Sequence, residues 1–248
     1  MTSTWRLIPP LEASAETQMA IDRYLLEEHR QGRHPPTIRF YTWHPAAISL
    51  GYHQKDYPAT WQNLTWQGKP LDIVRRPTGG RAVLHQGDLT YMVVTSLPAG
   101  KRLEVYKQIS QFLLTSWRSL GVKLDYGTAT KEYIQNHNCF ATATGSDLVT
   151  ATGSKVIGSA QLRRGKAILQ HGSMILNTDA HLYQQVFGVP LEQNLLTSIK
   201  PAKDYSSDQI IQNLTQAAIT TFKIDIVEQS LSTKEWQDIA SDFSLLRY

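Results

Sequence analysis

The chain has 248 residues, 41% of them hydrophobic and 19% charged, with a formal net charge of +4. That composition supplies a sizeable apolar core and excludes a disordered, highly charged chain. No run approaches the roughly 18 consecutive apolar residues of a membrane span, and the start MTSTWRLIPPLEAS lacks the basic region and apolar core of a secretory signal. Cys139 is the only cysteine. An internal disulfide is therefore excluded and a reducing cytoplasm is the expected compartment. The mild positive charge favours acidic partners. Without a dense Lys/Arg cluster, neither nucleic acid nor a membrane is expected as a partner.

Trp5 to Pro9 reads as an opening strand, and Ser14 is placed to cap a helix running to about Glu28, with Ile21, Tyr24, Leu25 and Glu28 on one face. QGRHPP, Gln31 to Pro36, is a loop. Strands follow at Thr37–Trp43, at Ala46–Leu50 closed by Gly51, at Leu71–Arg76 and at Leu89–Ser96. Arg102 to Leu120 is the clearest helix. Val105, Ile109, Phe112, Leu113 and Trp117 recur at helical spacing, and Gly121 suits the residue after its end. Leu124, Leu148–Thr150, Val156–Ser159 and Ala167–Leu176 are further strands. Helices are expected at Asp179–Phe187 and Asp208–Phe222, with a short one after Ser232. Strands and helices mix without regular βαβ alternation. That predicts an α/β chain of the α+β type around a mixed or antiparallel sheet. No linker-like composition divides it, and the segment after about Pro190 is more helical.

Pro77-Thr78-Gly79-Gly80-Arg81 follows a predicted strand. The glycines permit φ > 0 and remove Cβ atoms where a ligand would approach the backbone, and their N–H groups suit an anion or an acyl carbonyl. Read alone, the segment is more often a tight turn between strands. It matches neither the P-loop nor the dinucleotide fingerprint. His85, by itself, is more often a packed histidine than a catalyst. His171 has no partner at metal-ligand spacing, so no metal is expected.

Cys139 lies in QNHNCFATATGSD, a polar stretch. A structural cysteine usually sits in an apolar run, so this one leans towards a reactive thiol, against the plain reading of an incidental cysteine. Lys155 opens KVIGSAQ, where a lysine usually reaches solvent; near a thiol it would favour thiolate. Gly158, Ser159 and Ala160 are small enough to wall a narrow chain. Gln170-His171-Gly172-Ser173 interrupts an apolar strand, as happens at a site edge or a bulge.

Together these blocks resemble the biotin/lipoate protein ligase superfamily, and within it the cysteine-dependent octanoyltransferases of the lipoate pathway. The likeness runs from about Met19 to Leu176. It covers MAIDRYLLE, WHPAAISLGYHQ, RRPTGGRAVLHQGDLTY, the Cys139-Phe140 pair and GSKVIGSAQLRRGKAILQHGSMIL. The resemblance implies one catalytic domain over residues 1–248, with a central mixed sheet flanked by helices and a mainly helical segment from about 190. It also implies a tunnel for a medium acyl chain beside the Gly-Gly loop. The lysine of the family's K-x-x-G-x-A pattern falls on Lys155. Its acyl site falls on Arg76, Thr78, Gly79, Gly80, Arg81 and His85 in one block. Gly158, Ser159, Ala160, His171 and Gly172 supply the other.

ATP-using ligases of the superfamily typically carry a third glycine where Arg81 stands, and need no cysteine. A second transferase class holds its cysteine after the lysine block, where this chain has none. The segment ATATGSD after Phe140 departs from the proline-containing pattern of the first class. The implied reaction begins with attack of Cys139 on octanoyl-acyl carrier protein, assisted by Lys155. The octanoyl group then passes to a lysine of a lipoyl domain, such as the glycine-cleavage H protein, with no cofactor and no ATP. An ATP-dependent lipoate or octanoate ligase and a non-catalytic acyl-binding module are the alternatives.

Overall fold

The computed structural model describes residues 3–97, 100–128 and 144–242. Cys139 and Phe140 lie outside the described residues. The chain opens with β1 (Ser3–Ala13) and α1 (Ala15–Arg30), then β2 (Thr37–Trp43) and β3 (Ala47–Leu50). A 3-10 turn at Ala59–Asn63 leads to β4 (Thr65–Trp66), β5 (Lys69–Pro70), β6 (Asp72–Arg75), β7 (Val83–His85) and β8 (Asp88–Ser96). Next come α2 (Arg102–Ser119), β9 (Asp125–Tyr126), β10 (Leu148–Val149), β11 (Lys155–Arg164) and β12 (Ala167–Ile175). The remainder is α3 (Ala180–Phe187), α4 (Gln193–Ser198), a 3-10 turn at Lys200–Asp204, α5 (Ser207–Phe222), β13 (Ile224–Glu228) and α6 (Thr233–Asp242).

The main sheet has eight strands in the order β13-β1-β2-β8-β12-β11-β10-β9. The β13/β1 and β1/β2 pairs are parallel and the others antiparallel, so the sheet is mixed. A smaller sheet, β6-β3-β7, carries the Gly-Gly loop between its outer strands. Side chains alternate across a strand. Leu89, Tyr91 and Val93 of β8 therefore join one apolar cluster, while Met92 and Val94 join the other. The first cluster receives Ile109, Phe112 and Trp117 of α2 and Leu214 and Ala218 of α5; the second receives Met19, Ile21 and Leu25 of α1. A strand buried on both faces explains why Leu89–Val94 is apolar at every position but Thr90.

Local chemistry sets the boundaries. The Ser14 side chain accepts from the Thr17 amide and caps α1. β1 runs past the expected Pro9 to Ala13 because the ladder to β2 shifts register between Ile8 and Leu11, around two prolines that have no N–H to donate. β11 extends to Arg164, five residues beyond the expected Ser159. Its antiparallel partner continues to the Arg164↔Ala167 pair, and Gly165 at φ 63° makes the two-residue turn. β13, not anticipated from sequence, joins the edge of the main sheet, and α6 is tied to β1 by the Arg6–Glu235 ion pair at 2.5 Å.

Candidate active site

A cavity of about 520 Å³ opens where α1, β2, the Gly-Gly loop, β11 and β12 converge. The loop is held tightly from behind. Gly51 packs so closely that a Cβ there would lie 1.8 Å from the Gly80 carbonyl oxygen. Gly80 has φ +96°, in the left-handed region. The buried Arg76 guanidinium donates to the carbonyls of Gly79 (2.9 Å), Arg81 (2.7 Å) and Ser49 (2.9 Å). Arg76 thus ties the loop to β3 and fixes the turn. A Cβ on Gly79, which lines the cavity, would meet nothing within 4 Å.

Two polar chains support this loop. In the first, His171 Nδ1 lies 2.7 Å from Asp22 Oδ2, and His171 Nε2 lies 2.6 Å from the Thr78 hydroxyl. Asp22 also accepts from Tyr41 OH at 2.9 Å and faces Arg39 Nη1 at 3.5 Å. Burial lowers the pKa of Arg39 and raises that of Tyr41, so the phenol keeps its proton and remains a donor. In the second chain, His85 Nδ1 lies 2.8 Å from Asp88 Oδ2, and Nε2 lies 2.8 Å from the Ser49 hydroxyl. Asp88 Oδ2 accepts in addition from Ser173 (2.6 Å) and Thr90 (3.2 Å). Burial lowers the His85 pKa, so the ring is neutral at pH 7: Nδ1 donates to the carboxylate and Nε2 accepts from Ser49. Trp43 stacks on this ring at 3.8 Å, giving the cavity a flat, uncharged aromatic wall.

Lys155 enters from the other side. It opens β11, yet its side chain turns inward rather than reaching solvent as expected from a strand start; the residue is 4% exposed. Nζ lies 3.0 Å from Asp147 Oδ2, which also accepts the Thr144 amide (2.7 Å) and hydroxyl (2.8 Å). A buried ammonium requires such an anion. Opposite it the β11/β12 register pairs Ser159 with Gly172 and Ala160 with His171. Gly172 must be glycine: a Cβ would lie 2.5 Å from the Gly158 carbonyl oxygen and 2.7 Å from the Tyr91 ring. Ser159 Oγ and Tyr91 OH are 2.8 Å apart, and Gln170 donates to the same phenol at 3.0 Å.

Of the residues singled out from sequence, Lys155, Arg76, Gly79, Gly80 and His85 line this cavity, as do Gly158, Ser159, Ala160, His171 and Gly172. Thr78 stands behind it, bonded to His171, and Arg81 is not part of its lining. Sequence reasoning missed Asp22, Arg39, Ser49, Gly51, Asp88 and Asp147. Asp22 carried a signal: it occupies the buried stripe of α1 with Ala15, Gln18, Met19, Leu25 and Leu26. A charge on an apolar stripe calls for a buried partner. Arg39 is the same kind of signal within a strand that is otherwise apolar or β-branched. Among the described residues no three His, Cys, Asp or Glu side chains converge as a metal site would, and no helix is long and apolar enough to cross a membrane.

A mixed sheet with a Gly-Gly loop over an open cavity, and a buried lysine facing it, is the arrangement of a lipoate-ligase type of catalytic domain. The chain belongs to the lipoyl protein ligase A/B catalytic-domain family, which matches residues 14–234. It is 40% identical over 201 residues to octanoyltransferase LipM of Brevibacillus brevis, covering 76% of this chain and 72% of that enzyme. Octanoyltransferase LipM of Bacillus subtilis is 38% identical over 205 residues, covering 77% and 72%. The fold is shared with the solved structure of lipoate-protein ligase A bound with ATP, at a TM-score of 0.78 and 24% identity, over 98% of this chain and 95% of the other. It is shared equally with a putative lipoate protein ligase from T. acidophilum with bound lipoic acid, at a TM-score of 0.77 and 23% identity, over 99% and 96%.

Proposed function

We propose that this chain is an octanoyltransferase of protein lipoylation that works through a thioester on Cys139. The observation that carries the reading is the Lys155–Asp147 pair buried at the cavity, in a chain whose octanoyltransferase relatives match three quarters of its length. In the first half-reaction the Cys139 thiolate attacks the carbonyl carbon of an octanoyl thioester on acyl carrier protein. The bond from carbonyl carbon to carrier sulfur breaks, and the carrier leaves as a thiol with the proton that Cys139 gave up. In the second, a lysine amine of a lipoyl domain, such as the glycine-cleavage H protein, attacks octanoyl-S-Cys139. The C–N bond forms, the C–S bond breaks, and the proton from nitrogen restores the Cys139 thiol.

The ammonium of Lys155 favours the thiolate and orients the thioester carbonyl. Gly79 and Gly80 leave room for the acyl group against the loop backbone, and the Trp43/His85 wall supplies apolar contact along it. A thioester donor is already activated, so the reaction needs no ATP.

Incubation with octanoyl-acyl carrier protein should add one octanoyl group to the intact mass, without ATP. Cys139→Ala should lose that adduct entirely, and Lys155→Ala should slow its formation by about 10²-fold or more. Modification of a lipoyl domain only with free octanoate or lipoate plus ATP would establish the ligase reading instead.

A further inference from the structure

Most arginines described here are matched. Arg6 pairs with Glu235, Arg30 with Glu27, Arg33 with Glu28 and Arg39 with Asp22. Arg75 and Arg76 donate to backbone carbonyls. Arg102 and Arg164 differ. Both line the cavity, both are exposed, and among the described residues neither is within 4.0 Å of a carboxylate. They come from distant segments, the start of α2 and the end of β11. Arg163 joins those segments, donating to the Gly100 carbonyl at 3.3 Å and to Gln161 Oε1 at 2.9 Å. Lys101 and Lys166 flank the arginines and are exposed, and so is Glu104 in the first turn of α2, which pairs with neither arginine. Two exposed guanidinium groups on the lining of one cavity focus a positive potential into it. An anion that arrives there can accept charge-assisted hydrogen bonds from them.

The acyl chain and its thioester carry no charge, and the acceptor's lysine is a cation that this mouth would repel. The anion of a carrier-bound donor is the phosphodiester that joins the carrier serine to the pantetheine arm. We infer that Arg102 and Arg164 bind the phosphate of the donor's phosphopantetheine arm. This makes the Arg102/Arg164 mouth the donor's entrance, as distinct from the acceptor's. The inference rests on the transferase reading above. The same phosphate chemistry could be presented by coenzyme A, so the two sources are separated in the test.

The experiment measures the rate of octanoyl-enzyme formation from four donors: octanoyl-pantetheine, octanoyl-4′-phosphopantetheine, octanoyl-coenzyme A and octanoyl-acyl carrier protein. The wild-type protein should prefer octanoyl-phosphopantetheine over octanoyl-pantetheine by roughly ten- to a hundredfold, the range of one or two charge-assisted contacts. The double variant Arg102→Gln/Arg164→Gln should bring the phosphorylated donors down to the octanoyl-pantetheine rate. A further gain with the carrier protein over both small phosphorylated donors assigns the phosphate to a carrier; no gain assigns it to a small-molecule thioester. A phosphate preference that survives in the double variant overturns the inference while leaving the transferase reading intact. Absence of acyl-enzyme from all four donors removes the transferase reading and this inference with it. Loss in the double variant of an activity that requires octanoate and ATP assigns the arginines to a nucleotide and also overturns it.

Discussion

The two carboxylate–imidazole–hydroxyl chains under the Gly-Gly loop are alike in geometry and unlike in origin. His85 and Asp88 are three residues apart around one turn, whereas His171 and Asp22 are separated by 149 residues. Both chains end on a hydroxyl, Ser49 or Thr78, that is 1% exposed. In a serine hydrolase the hydroxyl must reach substrate. Here each hydroxyl is tied to its histidine, Ser49 at the cavity wall and Thr78 behind it, so the same three groups serve as bracing for a loop. The chains also differ in charge balance. Asp22 faces a buried arginine, while Asp88 is surrounded by hydroxyls and one neutral imidazole.

The most disruptive test removes what both chains support. Gly51→Ala places a methyl 1.8 Å from the Gly80 carbonyl oxygen and must displace the loop. Octanoyl transfer should fall by about 10²-fold, the usual consequence of roughly 1 Å of misplacement. Unchanged kinetics would mean that the loop position is not critical.

Asp22→Asn comes next. It leaves Arg39 buried without its anion and should cost about 3–5 kcal/mol in denaturant unfolding. Asp88→Asn removes no counter-charge from a buried arginine, and its cost should stay near 1–3 kcal/mol. Equal losses would show that the charge on Arg39 does not distinguish the two chains.

A pH series separates them further. The folded-state pKa of His85 is lowered by burial, so the folded protein holds its proton less well than the unfolded chain. The stability this confers is complete above the unfolded value of about 6.5 and declines as the pH falls towards the lower folded value. His34, also lowered chiefly by burial, acts in the same direction. The melting temperature should drop between pH 7 and pH 5, and His85→Gln should flatten part of that slope. An unaltered slope in His85→Gln would assign it to His34 or elsewhere. The smallest effect is expected from Thr78→Val, about 1 kcal/mol for one hydrogen bond exchanged for a methyl contact.

The unequal sequence spans of these chains explain what could be read in advance. β2 was legible from its β-branched and aromatic residues and α2 from its helical spacing and the glycine after it: β2 spans Thr37–Trp43 as read, and α2 ends at Ser119 with Gly121 at φ 80° beyond it. The Gly-Gly loop and Lys155 were legible as blocks, because ligand approach and charge are written in residue type. Asp147 was not: it lies in a loop segment, and only the fold brings it to Lys155. Gly51 read as the close of a strand because the Gly80 carbonyl that excludes its Cβ comes from a different part of the chain. β13 was hidden because five residues between two helical patterns become a strand only when β1 offers an edge.

That edge bears on synthesis at the ribosome. Ser3 to Leu7 are made long before their parallel partner, Ile224 to Glu228. Arg6 likewise waits for the carbonyls of Gln229 and Ser230 and the carboxylate of Glu235. A nascent chain therefore carries an open strand edge and an uncompensated guanidinium until Ile224 to Glu235 have been made. Such an edge is a template for wrong pairing. Pairing of such high contact order is also slow to form. Holdase chaperones that shield the first strand should accordingly raise the yield of this protein more than agents acting on its finished form.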